Sequence, residues 1–232
     1  MTVDLEILLD GVSGVGLQRV IGPRIVPSMR RVRGFNLWEQ TRDETIKLVQ
    51  RLSISNEDAA TQVVLFSAVE RGSGCTYVCA RTAGIMADYL DGPVCVVDAN
   101  FRSPGLRRYF DLEEPEKTSE SISTNLCLLS YSPPGRDWQT RSSLEEFQVR
   151  IWKLRKHFAH ILIDAPPINA YADAALLGRI ADGVVMVMEA NKTRREAAQT
   201  AKGTLDAAGV RVFGAVLNKR TFPIPQRLYQ RL

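Results

Sequence analysis

One stretch limits the possible folds of this chain more than any other: Val63-Val64-Leu65-Phe66-Ser67-Ala68-Val69-Glu70-Arg71-Gly72-Ser73-Gly74-Cys75-Thr76. A continuous apolar run passes directly into a glycine loop that opens a helical pattern. Such unbroken runs suit strands buried on both faces of a parallel sheet, and a glycine loop before a helix aims backbone N–H groups at an anion. Against the phosphate-loop pattern G-x-x-x-x-G-K-[ST], Gly74 and Thr76 fill the last glycine and the hydroxyl. Val69 stands at the first glycine and Cys75 at the lysine, so the loop is present without its cation.

The rest of the chain repeats the same rhythm. Further apolar runs at Val94 to Asp98, Leu126 to Ser130, His160 to Asp164, Gly183 to Glu189 and Val210 to Leu217 read as strands. Helical patterns cover Leu37 to Leu52, Thr76 to Leu90, Ser142 to Phe158, Ala170 to Ile180 and Thr193 to Ala208, the last with Gly209 as C-cap. Alternating strands and helices predict a three-layer α/β fold, a mainly parallel sheet with helices on both faces. Residues 111 to 125, rich in Glu, Pro, Ser and Thr, read as an exposed excursion, and Trp38, Trp138 and Trp152 as packing residues.

Two regions are expected: a loosely ordered arm over residues 1–36, with scattered glycines and prolines, and one domain over 37–232. With 232 residues, 45% of them hydrophobic, the chain can bury one sizeable core. The net charge of +4 is concentrated near the two ends, in Arg24, Arg30, Arg31 and Arg33 and in Lys219, Arg220, Arg227 and Arg231. Its four cysteines lack paired C-x-x-C spacing, which argues against a zinc site or a disulfide framework. No run approaches the roughly eighteen apolar residues of a membrane span, and a cytoplasmic location is expected.

Two more strand ends carry chemistry. Val94-Cys95-Val96-Val97-Asp98-Ala99-Asn100-Phe101-Arg102-Ser103-Pro104 is a strand ending in an acid, then a turn with an arginine, then a proline opening a helix. Ile161-Leu162-Ile163-Asp164-Ala165-Pro166-Pro167 is a strand ending in an acid before a proline pair. Acids at strand ends project into the crevice where a parallel sheet binds ligands, as a metal-bound phosphate requires.

These three segments, in this order, resemble the bacterial tyrosine kinase family of capsule and exopolysaccharide export systems, related to the deviant-Walker ATPases that include MinD. The resemblance places Walker A at residues 67–76, Walker A′ at 94–104 and Walker B at 160–167, and it extends through Asp173-Ala174, Ala181-Asp182-Gly183-Val184, Thr193 and Gly214-Ala215-Val216-Leu217-Asn218. It implies ATP or ADP with magnesium as cofactors. Arg71, Gly72, Ser73, Gly74, Cys75, Thr76, Tyr77 and Asn218 then fall at nucleotide-binding positions; Thr76, Asp98 and Asp164 fall at the metal, and Asp98, Asp164 and Arg102 at catalytic positions. The implied partners are a membrane polysaccharide co-polymerase, which would hold the chain at the inner membrane face, and further copies of the chain through the 37–52 helix. No nucleic-acid partner is expected.

The departures thin the kinase chemistry. Cys75 replaces the lysine that balances phosphate charge, and Asn100 replaces the second acid of the Asp-x-Asp-x-Arg pattern. Lys47 and Gln50 stand where the family's Glu-x-x-Arg-x-x-Arg helix carries arginines, and Tyr229 replaces a terminal tyrosine cluster. The favoured expectation is a degenerate member that regulates polymerisation and export with nucleotide binding weak or lost; the alternatives are an active tyrosine autokinase or, more remotely, a MinD-like positional ATPase. Arg71 is the candidate to replace the missing cation. Cys75, at a helix start beside Arg71, is expected to be an acidified thiol if the loop is open to solvent.

Overall fold

The computed structural model describes residues 37–54, 61–112, 118–130 and 141–220. The expected 1–36 arm, Trp138 and Tyr229 lie outside the described residues, as do the side chains of residues 37–40. In chain order the elements are α1 (Leu37–Ile54), β1 (Gln62–Ala68), α2 (Cys75–Tyr89), β2 (Val94–Asp98), α3 (Leu106–Tyr109), β3 (Ser119–Ser121), β4 (Leu126–Ser130), α4 (Arg141–Leu154), β5 (His160–Ala165), α5 (Asp173–Gly178), β6 (Gly183–Glu189), α6 (Arg195–Ala207) and β7 (Val212–Asn218).

The strands form one seven-stranded sheet in the order β3-β4-β2-β5-β1-β6-β7, parallel except for β3, which runs antiparallel to β4. All seven residues of β1 are buried, which explains its unbroken apolar run. Because successive side chains alternate across a strand, Val63 and Leu65 meet Phe147, Ile151, Leu177 and Leu205 from α4, α5 and α6. Val64 and Phe66 meet Val49, Leu52, Cys79, Ile85 and Leu106 from α1, α2 and α3 on the other face. The fold is therefore three layers, as expected from the sequence.

Several expected boundaries shift for local reasons. The excursion over 111–125 contains β3, a three-residue edge strand too short to leave a hydrophobic pattern. α4 stops at Leu154 rather than Phe158, and α5 is confined to Asp173–Gly178 because residues 169–172 are used in a turn after the proline pair, with the Ala170 and Tyr171 N–H groups donating to Pro167 O. α6 begins at Arg195, since Thr193 is spent accepting the Glu189 N–H on its Oγ1 at 3.0 Å. Gly209 follows α6 with φ +68°, the left-handed conformation a helix C-terminus favours. Trp152 departs from its expected packing role: it is 58% exposed, with Lys156 Nζ 3.7 Å from the ring centroid. No helix among the described residues is long and apolar enough to cross a membrane.

Candidate functional site

The strand order brings the three motif strands together, since β5 lies between β1 and β2. Asp98 and Asp164 are register partners at the ends of β2 and β5, with Phe66 of β1 beside Asp164. The loop after β1 therefore rises directly over two carboxylates.

Two glycines shape that loop. Gly72 and Gly74 have φ +83° and +81°, where an L side chain is strained, and Gly74 caps α2. The Ser73 N–H closes a turn back toward Glu70, while no acceptor among the described residues is found for the N–H groups of Gly72 and Gly74. The carbonyls, in contrast, are tied outward: Asn218 Nδ2 donates to Ser73 O at 2.8 Å, Lys219 Nζ to Gly72 O at 2.6 Å, and Ser73 Oγ to Glu70 O at 2.9 Å. Fixed carbonyls and free amides make an anion-binding nest. A Cβ on Gly74 would lie 2.5 Å from Asn218 Nδ2, so only glycine admits this clasp.

Below the nest, Thr76 Oγ1 donates to Asp164 Oδ2 at 2.6 Å. Asp164 is fully buried, and its Oδ1 has no hydrogen-bond partner among the described residues. Burial pushes its carboxyl up to about 7, with the Thr76 hydrogen bond opposing and Asp98 reinforcing the shift. A buried carboxyl joined to a threonine hydroxyl, with the Cys75 thiol beside it, fits a divalent cation, which completes its shell with water and phosphate oxygens. Among the described residues, no three His, Cys, Asp or Glu side chains gather into a metal cage.

Asp98 is employed differently. Its Oδ2 accepts the N–H groups of Gly105 and Leu106, each at 3.1 Å, and its Oδ1 that of Asn100 at 3.3 Å. It thereby holds the turn that follows β2. Burial still raises its carboxyl above the usual range, against these three bonds. Arg102 pairs with buried Asp173 at 3.2 Å and stacks 4.3 Å from the Tyr171 ring centroid. Tyr77 turns away from the loop, accepting from Arg81 Nη1 at 3.2 Å and meeting Tyr109 edge-on at 5.6 Å. Arg71 lies over the same Tyr171 ring at 5.1 Å.

The expected acidified thiol is overturned. Cys75 is only 8% exposed, and burial, followed by the neighbouring charge of Asp164, pushes its thiol well above the ordinary range. At this position burial outweighs the helix N-terminus, because desolvating a thiolate beside a carboxylate costs more than the half-charge of a helix end returns. Sequence reasoning also missed Lys219: a lysine after the last strand looks like solvent-facing charge until the sheet order places β7 next to the loop.

A parallel sheet with a glycine loop after β1, a threonine and aspartate joined beneath it and an acid at the end of β2 defines a P-loop NTPase fold of the deviant Walker class. No protein-family model matches the chain. CapB of Staphylococcus aureus, provisionally named a tyrosine-protein kinase, is 29% identical over 182 residues, 72% of this chain and 79% of CapB. The tyrosine-protein kinase YwqD of Bacillus subtilis is 25% identical over 181 residues, 72% of this chain and 76% of YwqD. Among solved structures, the kinase domain of the Escherichia coli tyrosine kinase Etk shares the fold with a TM-score of 0.67 at 17% identity, covering 79% of this chain and 78% of that domain. The chain is thus similar to the bacterial tyrosine-protein kinases, with Cys75 at the lysine position of the phosphate-loop pattern.

Proposed function

We propose that this protein is a degenerate bacterial tyrosine-kinase-like regulator of exopolysaccharide or capsule polymerisation and export. In this reading it binds nucleotide weakly, does not phosphorylate tyrosine, and acts at the cytoplasmic face of the inner membrane through a polysaccharide co-polymerase. One observation carries the reading: the lysine position of the phosphate loop is a thiol buried against Asp164.

The division of labour follows from the residues. The Gly72 and Gly74 amides would cradle phosphate oxygens, and Thr76 with Asp164 would hold magnesium, which when bound neutralises charge developing on the transferred phosphoryl group. Asn218 keeps the loop in shape through Ser73 O. What is missing is a charge at position 75 for the transition state and a second acid where Asn100 stands, so binding is retained more readily than transfer. The 37–52 helix would support assembly of copies only weakly, with Lys47 and Gln50 where the resemblance expects arginines.

The test is autophosphorylation of the purified protein with magnesium-ATP beside calorimetric titration with magnesium-ADP. The expected result is measurable, weak ADP binding with no phosphotyrosine, and tighter binding in Cys75→Lys. Robust phosphotyrosine that disappears in Asp164→Asn would establish an active kinase instead.

A further inference from the structure

We propose that Lys219, reaching across from the end of β7, supplies the phosphate loop with the cation that position 75 lacks. The inference rests on the nucleotide-binding reading above and names the residue that makes such binding possible. A di- or triphosphate brings several negative charges to a nest of neutral amides lying over two buried carboxylates, Asp98 and Asp164. An anion in such surroundings needs a compensating cation nearby.

The cations around the loop differ in where they are held, and Lys192, whose Nζ is 4.0 Å from the point a Gly72 Cβ would occupy, is paired with Glu189 at 3.2 Å. Arg71 is laid on the Tyr171 ring, and Arg102 is paired with Asp173, a carboxylate that is fully buried. Withdrawing Arg102 would leave that charge buried without this partner. Lys219 is held against the loop itself. Its Nζ donates to the Gly72 carbonyl at 2.6 Å and lies 3.4 Å from Glu189 Oε2, and its Cε is 3.8 Å from the point a Gly74 Cβ would occupy. The four-carbon stem therefore crosses the loop itself. If the ammonium moved to a phosphate, Glu189 would keep Lys192, whose Nζ is 3.2 Å from the same carboxylate oxygen.

The backbone is arranged for this reach. Lys219 has φ +57°, a left-handed conformation unusual for a residue with a side chain. It directly follows Asn218, which is fastened to Ser73 O. Such a conformation persists where the surroundings impose it, and here they aim a lysine at the loop from the β7 side. A cation from that direction is suited to holding bound phosphate. It does not restore a charge at the start of α2, which is consistent with binding without efficient transfer.

The experiment is an equilibrium titration of the full chain with magnesium-ADP, and separately with magnesium pyrophosphate, at low ionic strength. The variants are Lys219→Ala, Lys219→Gln, Lys219→Arg, Cys75→Lys and the Cys75→Lys/Lys219→Ala double variant. Loss of one charge-assisted phosphate contact should weaken both ligands about tenfold or more in Lys219→Ala and Lys219→Gln, while Lys219→Arg stays within about threefold of wild type. In the Cys75→Lys background the Lys219→Ala penalty should shrink to about twofold or less, because the two cations then compensate the same phosphates. Glutamine keeps a donor for the Gly72 carbonyl, so a Lys219→Gln variant that binds like wild type would reduce Lys219 to a loop clasp and overturn the proposal. A Lys219→Ala variant that binds like wild type would overturn it too, while leaving nucleotide binding itself intact. Wild type that binds neither ligand, beside a Cys75→Lys variant that does, would remove both this proposal and the nucleotide reading on which it rests.

Discussion

Asp164 should make the protein less stable as pH rises through the acidic and neutral range, and replacing it with asparagine should remove that dependence. Its carboxyl ionises near 3.8 in an unfolded chain and at about 7 when folded. A raised folded value means that the native state holds the proton more tightly, so between these two values the native state carries more protons than the unfolded one. Stability therefore falls with rising pH across that window and levels off above about 7. The full shift of roughly three units corresponds to about 4 kcal/mol, of which about 2.5 kcal/mol falls between about pH 5 and pH 8. Asparagine keeps the shape and removes the titration, although its amide leaves a buried donor to satisfy, at a pH-independent cost of about 1–3 kcal/mol. The assay is urea unfolding followed by circular dichroism at several pH values for wild type and Asp164→Asn. Wild type should lose about 2.5 kcal/mol relative to the variant between the two ends of the range. Parallel stability profiles would refute the reasoning and mean that Asp164 stays ionised in the folded protein. Magnesium should narrow the difference near neutral pH, because a cation at Oδ1 favours the ionised form.

Gly74→Ala combines a strained φ with a Cβ 2.5 Å from Asn218 Nδ2, so it should cost about 2–3 kcal/mol in denaturant unfolding, the sum of a left-handed alanine and a lost clasp. Alkylation followed residue by residue by mass spectrometry at about pH 8 should find Cys75 reacting at least tenfold more slowly than a free thiol, as should Cys79 and Cys95, all three buried with raised thiols. Rapid labelling at Cys75 would mean a loop open to solvent and would return the thiol to the acidified state expected from its place at a helix start.

The sequence by itself determined the layers and the motifs. Six apolar runs announce parallel strands, although the last, β7, lies at the sheet edge with none of its residues buried, and Asp98, Asp164 and Thr76 are recognisable because strand ends and helix starts are local features with local signals. Short elements escape such reasoning: three residues of β3 cannot form a period, and α5 is trimmed by a turn whose hydrogen bonds return to Pro167. The tertiary structure decided what each site residue is free to do. Sheet order sets Lys219 and Asn218, which lie about 145 residues beyond the loop in sequence, against the carbonyls of Gly72 and Ser73. Packing rather than residue type turned Arg71 and Arg102 onto Tyr171 and gave Asp98 three backbone donors to accept. Burial reversed the expected character of Cys75, because the cost of desolvating charge depends on what the rest of the chain folds over a residue, and no local pattern contains that information.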